Sequence, residues 1–552
     1  MPYDRPLYDF NEEVDLKNYK AWVLGAMWYP PPWCPLFVDI WYTYGKYGMQ
    51  YGPEMLSDPR THGWDWRFNK GGFYLTVIET TEEEKKLREK DWREKMRVIL
   101  EDPWAMWTKQ KAELKEGIDK VWGVDLKALS DIELCDHFME SCHFIKRVAE
   151  IHFYCMYALG QGNIQFRRML KQLLNINPED VEYSQLNSGF DNDFMKLAQR
   201  LSELSSMAIN SGLEGTFKET EPEELLSKLE ANDKGKQWID KFNEMMNEFG
   251  WMRVRFLEIN TPTWLEDNTL PLREIQRYIK QGIVSASTDE VRPQLESRRK
   301  ALEEQLLKDV PSEEREVFKK LMECSQASHV FSEDHTIYVE GIPFSAVRLS
   351  ALELGRRFTE KGMIDEPEDA LFLNHDEIFH TGIIKQRCDL GSLVEKRKQE
   401  YSDYRKLEGT LPFFLGDPTK ISELVEADVI FSVAAAQPIA TPEEVGASLV
   451  GCAGSPGVVE GTAYVLMSDT EMDTIGPDAI LVAPGTTPGW TPIFNVIKGI
   501  ITDGGGYLSH ALIVAREFGI PGVVGTQEAT RKIKTGQRVR VDGNTCQVHI
   551  LD

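Results

Sequence analysis

The apolar residues of this 552-residue chain change their spacing once, and that change limits the folds available to it. From residue 80 to residue 408 they recur every three or four positions with charged residues between them, which is the pattern of amphipathic helices. After residue 447 they form short runs bounded by turn residues, which is typical of strands. The sequence therefore predicts a multidomain α + α/β protein, in which a large, mainly helical part precedes a small β/β/α unit.

Prolines and glycines divide the helical region. Helix breaks are predicted at Pro103, Pro178, Pro222, Pro262, Pro311 and Pro367. Gly160 and Gly162 predict an interhelical turn, because they interrupt the helical pattern. Residues 1–77 are rich in Trp, Tyr, Pro and Gly, and we expect irregular structure packed around the rings, either as plain core or as an aromatic-lined pocket.

Composition also shifts between residues 409 and 447, where "FSVAAAQPIATPEEVGAS" is small, proline-punctuated and weakly periodic, as a tether is. We therefore divide the chain into an aromatic-rich part over 1–77, a helical domain over 78–429, a linker over 430–447 and a C-terminal domain over 448–552. In that last domain we predict strands over 478–483, 499–503, 521–525, 537–543 and 546–551, and helices over 491–498 and 509–518.

The net charge of -26 argues against nucleic-acid and anionic-membrane partners, because both need a positive surface. No signal peptide and no run of 18 apolar residues is visible, so we expect a cytoplasmic protein. The eight cysteines are scattered without CxxC pairs, and we expect free thiols.

A titratable ring stands where a glycine loop becomes a helix. Gly504, Gly505 and Gly506 can bring backbone N–H groups close to a ligand, and the helix that follows presents unpaired N–H donors and the positive end of its dipole. His510 comes one residue after Ser509, the predicted N-cap, and is a nucleophile near neutral pH. From the loop alone, either a phosphorylated histidine or a histidine satisfied at a helix start fits.

A resemblance distinguishes these interpretations. Residues 451–526 contain Ser-Pro-Gly at 455, Ala-Pro-Gly-Thr-Thr-Pro-Gly-Trp-Thr-Pro from 483, Thr-Asp-Gly-Gly at 502, Ser-His-Ala at 509 and Ala-Arg-Glu-Phe-Gly-Ile-Pro at 515. This stretch resembles the swivelling phosphohistidine domain of the phosphoenolpyruvate-utilising enzymes, which include rifampicin phosphotransferase. The resemblance implies that His510 is phosphorylated during turnover, with Ser509 and Thr502 in the catalytic loop and Gly504, Gly505 and Gly506 around the phosphate. Tyr507-Leu508 departs from the Thr-Cys or Thr-Ser of several relatives.

Residues 249–279 and 348–378 resemble, more loosely, the helical substrate domain of rifampicin phosphotransferase. An acceptor domain joined to a phosphohistidine domain, without ATP-grasp signatures, most resembles the phenylphosphate synthase and 4-methylphenyl phosphate synthase subunits. That resemblance implies a separate ATP-grasp partner, which binds ATP with Mg²⁺ or Mn²⁺. The β-phosphoryl group would pass to His510, leaving AMP and phosphate, and then to the hydroxyl of phenol.

Six residues are candidates for the acceptor site. Trp28 and Trp33 would line an aromatic cleft, and Arg348 would meet the phosphoryl group. Either His329 or His335 would deprotonate a phenol or pair with phosphate, and Glu333, four residues after His329, would share a helix face with it. For each, a surface, capping, core or salt-bridge role is the competing interpretation. The His and Cys residues of 135–155 have no metal-binding spacing on one helix, so no protein-ligated metal is expected.

Two alternatives stay open at this stage. The same chemistry would serve another hydroxyl compound, such as a cresol or an antibiotic. Otherwise the chain is a phosphocarrier or regulatory protein without acceptor chemistry of its own.

Overall fold

The computed structural model describes residues 9–25, 32–177, 180–191, 193, 195–253, 259–285, 287–383, 390–407, 410–412, 414–428, 446–451, 453–467, 472, 475–476, 478–486, 488–506 and 509–551. Trp28, Pro178, Tyr507-Leu508 and most of the predicted linker lie outside these ranges. The fold is multidomain α + α/β, as predicted.

Helices dominate the chain up to residue 427. They are α1 (Glu12–Asn18), α2 (Pro35–Ile40), α3 (Lys46–Leu56), α4 (Glu82–Glu101), α5 (Pro103–Val121), α6 (Asp131–Leu174), α7 (Val181–Leu186), α8 (Lys196–Asn210), α9 (Glu214–Glu219), α10 (Pro222–Leu229), α11 (Asp233–Phe249), α12 (Thr269–Gln281), α13 (Ser287–Asp309), α14 (Arg315–His335), α15 (Ile342–Glu360), α16 (His375–Ile383), α17 (Gly391–Arg405) and α18 (Ile421–Ala427). Two π-helical turns, Trp41–Gly45 and Thr336–Gly341, and two 3₁₀ turns, Pro367–Phe372 and Pro418–Lys420, complete this part. Pro103 and Pro222 open helices at their first turn, as predicted.

Helix α6 is the longest element of the described chain, with 44 residues spanning roughly 66 Å. Its N-terminus is fixed by a capping box between Ser130 and Glu133. The turn predicted at Gly160 and Gly162 is wrong, because both residues lie inside α6. A Cβ on Gly162 would lie 2.2 Å from Cys324 Sγ on α14, so this glycine allows two helices to approach closely rather than ending one.

The N-terminal region is more regular than predicted. Strands β1 (Ala21–Leu24), β2 (Thr61–Asn69), β3 (Gly72–Glu79) and β4 (Phe414–Gly416) form an antiparallel sheet in the order β2-β3-β1-β4. The prediction of irregular structure is wrong here, because Trp64, Trp66 and Phe68 alternate along β2 and are buried together. The high Trp and Gly content masked this two-residue period.

The C-terminal unit is an eight-stranded mixed sheet in the order β5-β12-β11-β7-β8-β9-β10-β6. Its elements are β5 (Leu449–Val450), β6 (Ala453–Ser455), β7 (Val458–Val465), β8 (Ala479–Ala483), a 3₁₀ helix (Pro488–Asn495), β9 (Gly499–Thr502), α19 (His510–Phe518), β10 (Gly522–Val524), α20 (Ala529–Lys532), β11 (Arg538–Asp542) and β12 (Gln547–Ile550). Strands β7 to β10 run parallel. The predicted helix over 491–498 is instead the 3₁₀ helix, since Pro492 lacks the N–H that an α-helix interior needs.

The C-terminal unit packs against α8 and α12. Met195 and Ala198 share a buried apolar cluster with Phe494 and Leu512. Tyr278 Oη donates a hydrogen bond to the Pro492 carbonyl at 3.0 Å and accepts one from Asn495 Nδ2 at 2.7 Å. Apolar burial and polar pairing therefore both hold the unit in this position.

Within the described ranges, no helix combines the length and the apolar character needed to cross a membrane. Six cysteines are buried free thiols, as expected. Cys388 and Cys452 fall outside the described residues.

Candidate active site

His510 is the first residue of α19, and a short loop joins it to the carboxyl end of β9. In parallel sheets, ligands bind at this edge. Ser509 is the N-cap, with extended backbone, and Gly519 ends the helix in the left-handed conformation at φ 68°. Both ends of α19 therefore lie where the sequence predicts.

The loop is held by its own hydrogen bonds. Gly505 has φ 116°, and a Cβ there would lie 2.9 Å from Ser509 Oγ, so a glycine is required. Thr502 Oγ1 donates to the Gly504 carbonyl at 2.6 Å. Ser509 Oγ donates to the Gly506 carbonyl at 2.8 Å rather than capping α19. Gly504 N–H donates to the Pro484 carbonyl at 2.9 Å, so this amide is engaged in the loop and not turned toward the histidine.

Polar side chains lie at both nitrogens of the His510 ring, and the Phe494 ring packs edge-on against it. Thr491 Oγ1 lies 3.3 Å from Nε2, and Glu333 Oε2 on α14 lies 3.2 Å from Nδ1. A carboxylate accepts a hydrogen bond from Nδ1–H, which leaves the lone pair on Nε2. Nε2 is therefore the nucleophilic nitrogen in this arrangement, and Thr491 is the group beside it.

Glu333 is buried, and its second oxygen, Oε1, has no hydrogen-bond partner among the described residues. His329, four residues earlier on the same helix, is buried as well and donates a hydrogen bond from Nδ1 to the Ser325 carbonyl, 2.8 Å away. Burial lowers the pKa of His329 to about 3. Glu333 thus faces His510 with a neutral imidazole beside it.

Buried charges from both parts of the chain surround this contact. Arg516 and Glu517, on α19, are buried next to Arg299 of α13. Burial raises the pKa of Glu517 to about 7, although both of its carboxylate oxygens accept from Gly189 N–H at 3.0 and 3.1 Å. The carboxylate is therefore protonated more easily than an ordinary glutamate.

The other predicted acceptor residues lie in different surroundings. Trp33 packs against Phe37, Phe68 and Phe73 in the core of the N-terminal sheet. Arg348 forms a bidentate ion pair with Glu266 and donates to the Ile259 carbonyl. Trp28 lies outside the described residues.

His335 lies two residues after Glu333 but contacts Glu340 rather than His510. Of the predicted acceptor residues that are described, Glu333 is the one in hydrogen-bond contact with His510, with His329 next to it on α14.

Sequence reasoning missed Thr491, Arg516 and Glu517 as site residues. All three lie in the stretches that carry the resemblance, so their position in those stretches was an available signal. Gly189, in contrast, lies outside them, and no sequence pattern pointed to its bond with Glu517.

Comparison with known proteins covers both residues of the His510–Glu333 contact. Residues 475–546 match the PEP-utilising enzyme mobile domain. Residues 152–333 match the rifampicin phosphotransferase fourth domain. His510 lies in the first match, and Glu333 is the last residue of the second.

Three relatives extend this similarity. The chain is 30% identical over 342 residues to the uncharacterized phosphotransferase YvkC of Bacillus subtilis, covering 62% of this chain and 40% of that protein. It is 28% identical over 415 residues to chondramide synthase cmdD of Chondromyces crocatus, covering 73% of this chain and 10% of that protein. It is 28% identical over 334 residues to a rifampicin phosphotransferase of Bacillus cereus, covering 60% of this chain and 36% of that protein. The chain thus spans 40% or less of the length of these relatives.

Among solved structures, a solution structure of Enzyme I (nEIt) is 15% identical with a TM-score of 0.15, covering 48% of this chain and 73% of that one. A similarity this low supports no argument.

Proposed function

We propose that this chain is a phosphotransferase component that carries a phosphoryl group on His510 Nε2 and delivers it to a hydroxyl acceptor at its own helical part. The observation that carries the proposal is the 3.2 Å contact between His510 Nδ1 and Glu333 Oε2. A pure phosphocarrier needs no carboxylate from its own helical part at the carrier ring. The similarity of residues 152–333 and 475–546 to phosphotransferase domains supports the same assignment.

Charging of His510 needs the lone pair on Nε2. In the proposed cycle the β-phosphoryl group of ATP passes to this nitrogen, AMP leaves, and water takes up the γ-phosphoryl group, which is released as phosphate. An ATP-grasp partner would bind the ATP, and Mg²⁺ or Mn²⁺ would accompany the nucleotide there. This chain contributes the ring and the loop that positions it.

Discharge occurs with the C-terminal unit packed as described above. The phosphorylated ring keeps its proton on Nδ1, held by Glu333 Oε2. The acceptor oxygen attacks phosphorus in line, a P–O bond forms, the P–Nε2 bond breaks, and neutral imidazole leaves. The acceptor's hydroxyl proton leaves on a phosphoryl oxygen of the product, because the acceptor attacks from the far side of phosphorus whereas Glu333 lies at Nδ1. Burial of this contact excludes water, which would otherwise hydrolyse the phosphohistidine.

The acceptor we propose is phenol or a close phenolic compound. A phenol has a pKa near 10 by analogy with tyrosine, so its proton is lost as the P–O bond forms, and Glu333 assists by stabilising the Nδ1–H imidazole that leaves. Because relatives are named rifampicin phosphotransferase, an antibiotic hydroxyl is the second candidate, together with cresol.

The test separates the two half-reactions. The chain is charged with ATP labelled in the β-phosphate and the ATP-grasp partner, or directly with phosphoramidate, and then mixed with phenol, 4-methylphenol or rifampicin. Label is expected on the wild type and on Glu333→Gln, and not on His510→Ala. Wild type is expected to release it to phenol, whereas Glu333→Gln retains it.

Glu316→Gln is the matched control, because Glu316 lies exposed on the same helix as Glu333. It is expected to behave as wild type. Stable label on the wild type in the presence of every acceptor, with release to a second protein, would establish the phosphocarrier alternative instead.

A further inference from the structure

At a distance from His510, three side chains place nitrogen and oxygen atoms with lone pairs close to one another. They are His152 on α6, His335 at the end of α14 and Glu340 in the π-helical turn Thr336–Gly341, and one ligand atom of each lies within 4.8 Å of the other two. None of them makes a contact with the His510 loop among the hydrogen bonds and ion pairs given above. Their grouping therefore needs an explanation of its own.

The π-helical turn is what brings two of them onto one side. His335 and Glu340 are five residues apart, and in an α-helix such residues point about 140° away from each other. In the π-helical turn the Ile342 N–H donates to the Ile337 carbonyl, five residues back, which stacks positions five apart. Such turns are rare and occur frequently at functional sites.

The His335 imidazole is oriented as a metal ligand is. His335 Nδ1 contacts the Phe331 carbonyl at 3.2 Å, and its Nε2 lies 3.6 Å from Glu340 Oε1. With the proton on Nδ1, the Nε2 lone pair faces the carboxylate, and a backbone carbonyl behind a metal-binding histidine is the usual second partner.

A small cavity adjoins the cluster, with His152 and Glu340 in its wall together with Trp41 and Phe344. Its size is on the order of a single water molecule. An aromatic acceptor does not fit there, whereas an ion or its bound water does.

We infer that His152, His335 and Glu340 form a binding site for one divalent transition-metal ion, with Zn²⁺ the best match and a fourth position open toward the cavity. Two imidazoles and one carboxylate are a recognised zinc ligand set, and imidazole does not suit Mg²⁺. Bonds of about 2.1 Å in tetrahedral geometry need ligand atoms about 3.4 Å apart, so side-chain rotations of roughly an ångström close the site. The site is separate from the cation that accompanies ATP and does not depend on the phosphotransfer proposal.

The experiment measures binding and coordination, not activity. Metal-free full-length chain is titrated with Zn²⁺ by calorimetry, and with Co²⁺ by visible absorption, which reports four-coordinate geometry. Wild type is expected to bind one equivalent with an intense Co²⁺ spectrum. His335→Ala and Glu340→Gln are expected to weaken Zn²⁺ binding by at least about 100-fold and to lose the spectrum.

His380→Ala is the control, because His380 is an exposed histidine outside the cluster, and it should bind as wild type. Circular dichroism shows whether a variant has failed to fold. If His335→Ala does not fold, the inference is tested with Glu340→Gln, whose side chain has the same shape as the original. Equal Zn²⁺ binding by wild type and Glu340→Gln, or no binding by folded wild type, would overturn the inference and leave a plain His335–Glu340 ion pair.

Discussion

Two imidazole–carboxylate pairs in this molecule differ in what holds them together. His510 and Glu333 are 177 residues apart and meet across the surface between the C-terminal unit and α14. His335 and Glu340 are five residues apart and meet within a single turn. A movement of the C-terminal unit separates the first pair and leaves the second intact. The first pair therefore suits a step that must be switched on by docking, and the second suits a permanent site.

The largest expected effect comes from neutralising one carboxylate of each pair. Glu333→Gln should slow loss of the phosphoryl group from His510 to the acceptor by roughly 100-fold or more, because an amide does not stabilise the Nδ1–H of the leaving imidazole as a carboxylate does. Glu340→Gln should leave that rate within about twofold. Rapid-quench measurement of label remaining on the chain tests both, and equal slowing by the two variants would contradict the division of roles.

The second prediction concerns pH and the docking surface, which is the contact of the C-terminal unit with α8, α12 and α14. The docked form raises the pKa of Glu517 to about 7 from its ordinary value of 4.5, so it binds more protons than the separated form between these values. Docking should be strongest near pH 5 and weaken by roughly 1–3 kcal/mol as the pH rises through 7. Energy transfer between dyes on the helical part and the C-terminal unit measures this, and Glu517→Gln should flatten the profile. An unchanged profile in that variant would show that another group titrates.

A third change strains the π-helical turn and leaves the docking surface alone. A Cβ on Gly341 would lie 2.3 Å from the Trp251 ring, so Gly341→Ala should lower the free energy of unfolding by about 1–3 kcal/mol. Gly215→Ala, on α9 with open space around the new Cβ, should instead raise it slightly. Chemical denaturation compares the two. A neutral Gly341→Ala would mean that the turn adjusts without strain.

The smallest expected effect is at the edge of the docking surface. Tyr278→Phe removes the hydroxyl that pairs with Pro492 and Asn495, which should weaken docking by about 0.5–1.5 kcal/mol. The same energy-transfer assay detects this shift. Tyr47→Phe, at an exposed tyrosine, serves as the control.

The parts of the site that sequence could predict are those built from neighbours in the chain. The β9 strand, the glycine loop, His510 and the Gly519 cap follow one another within 25 residues, and each has a local physical signal. Glu333 was a candidate because of its four-residue spacing from His329, but no feature of the neighbouring sequence indicated that it would face His510.

Other features depended on tertiary contacts that a single sequence does not display. The pairing of His335 with Glu340 needed a π-helical turn, which no α-helical period anticipates. Gly160 and Gly162 predicted a turn, because the close approach of Gly162 to Cys324 on α14 is visible only in the tertiary structure. Trp33 and Arg348 were plausible pocket residues until the sheet core and Glu266 accounted for them.

Asp428 is the last described residue before the tether, and it is fully buried, accepting from Trp64 Nε1 at 3.1 Å and from the Tyr157 hydroxyl. Strand β4, shortly before Asp428 in the chain, pairs with β1 in antiparallel fashion. The chain thus leaves the helical part at a residue that is hydrogen-bonded to the N-terminal sheet. In the proposed cycle, the distance that His510 can travel is set by the length of the linker from Asp428, so lengthening or shortening that linker should change whether His510 reaches both the ATP-grasp partner and α14.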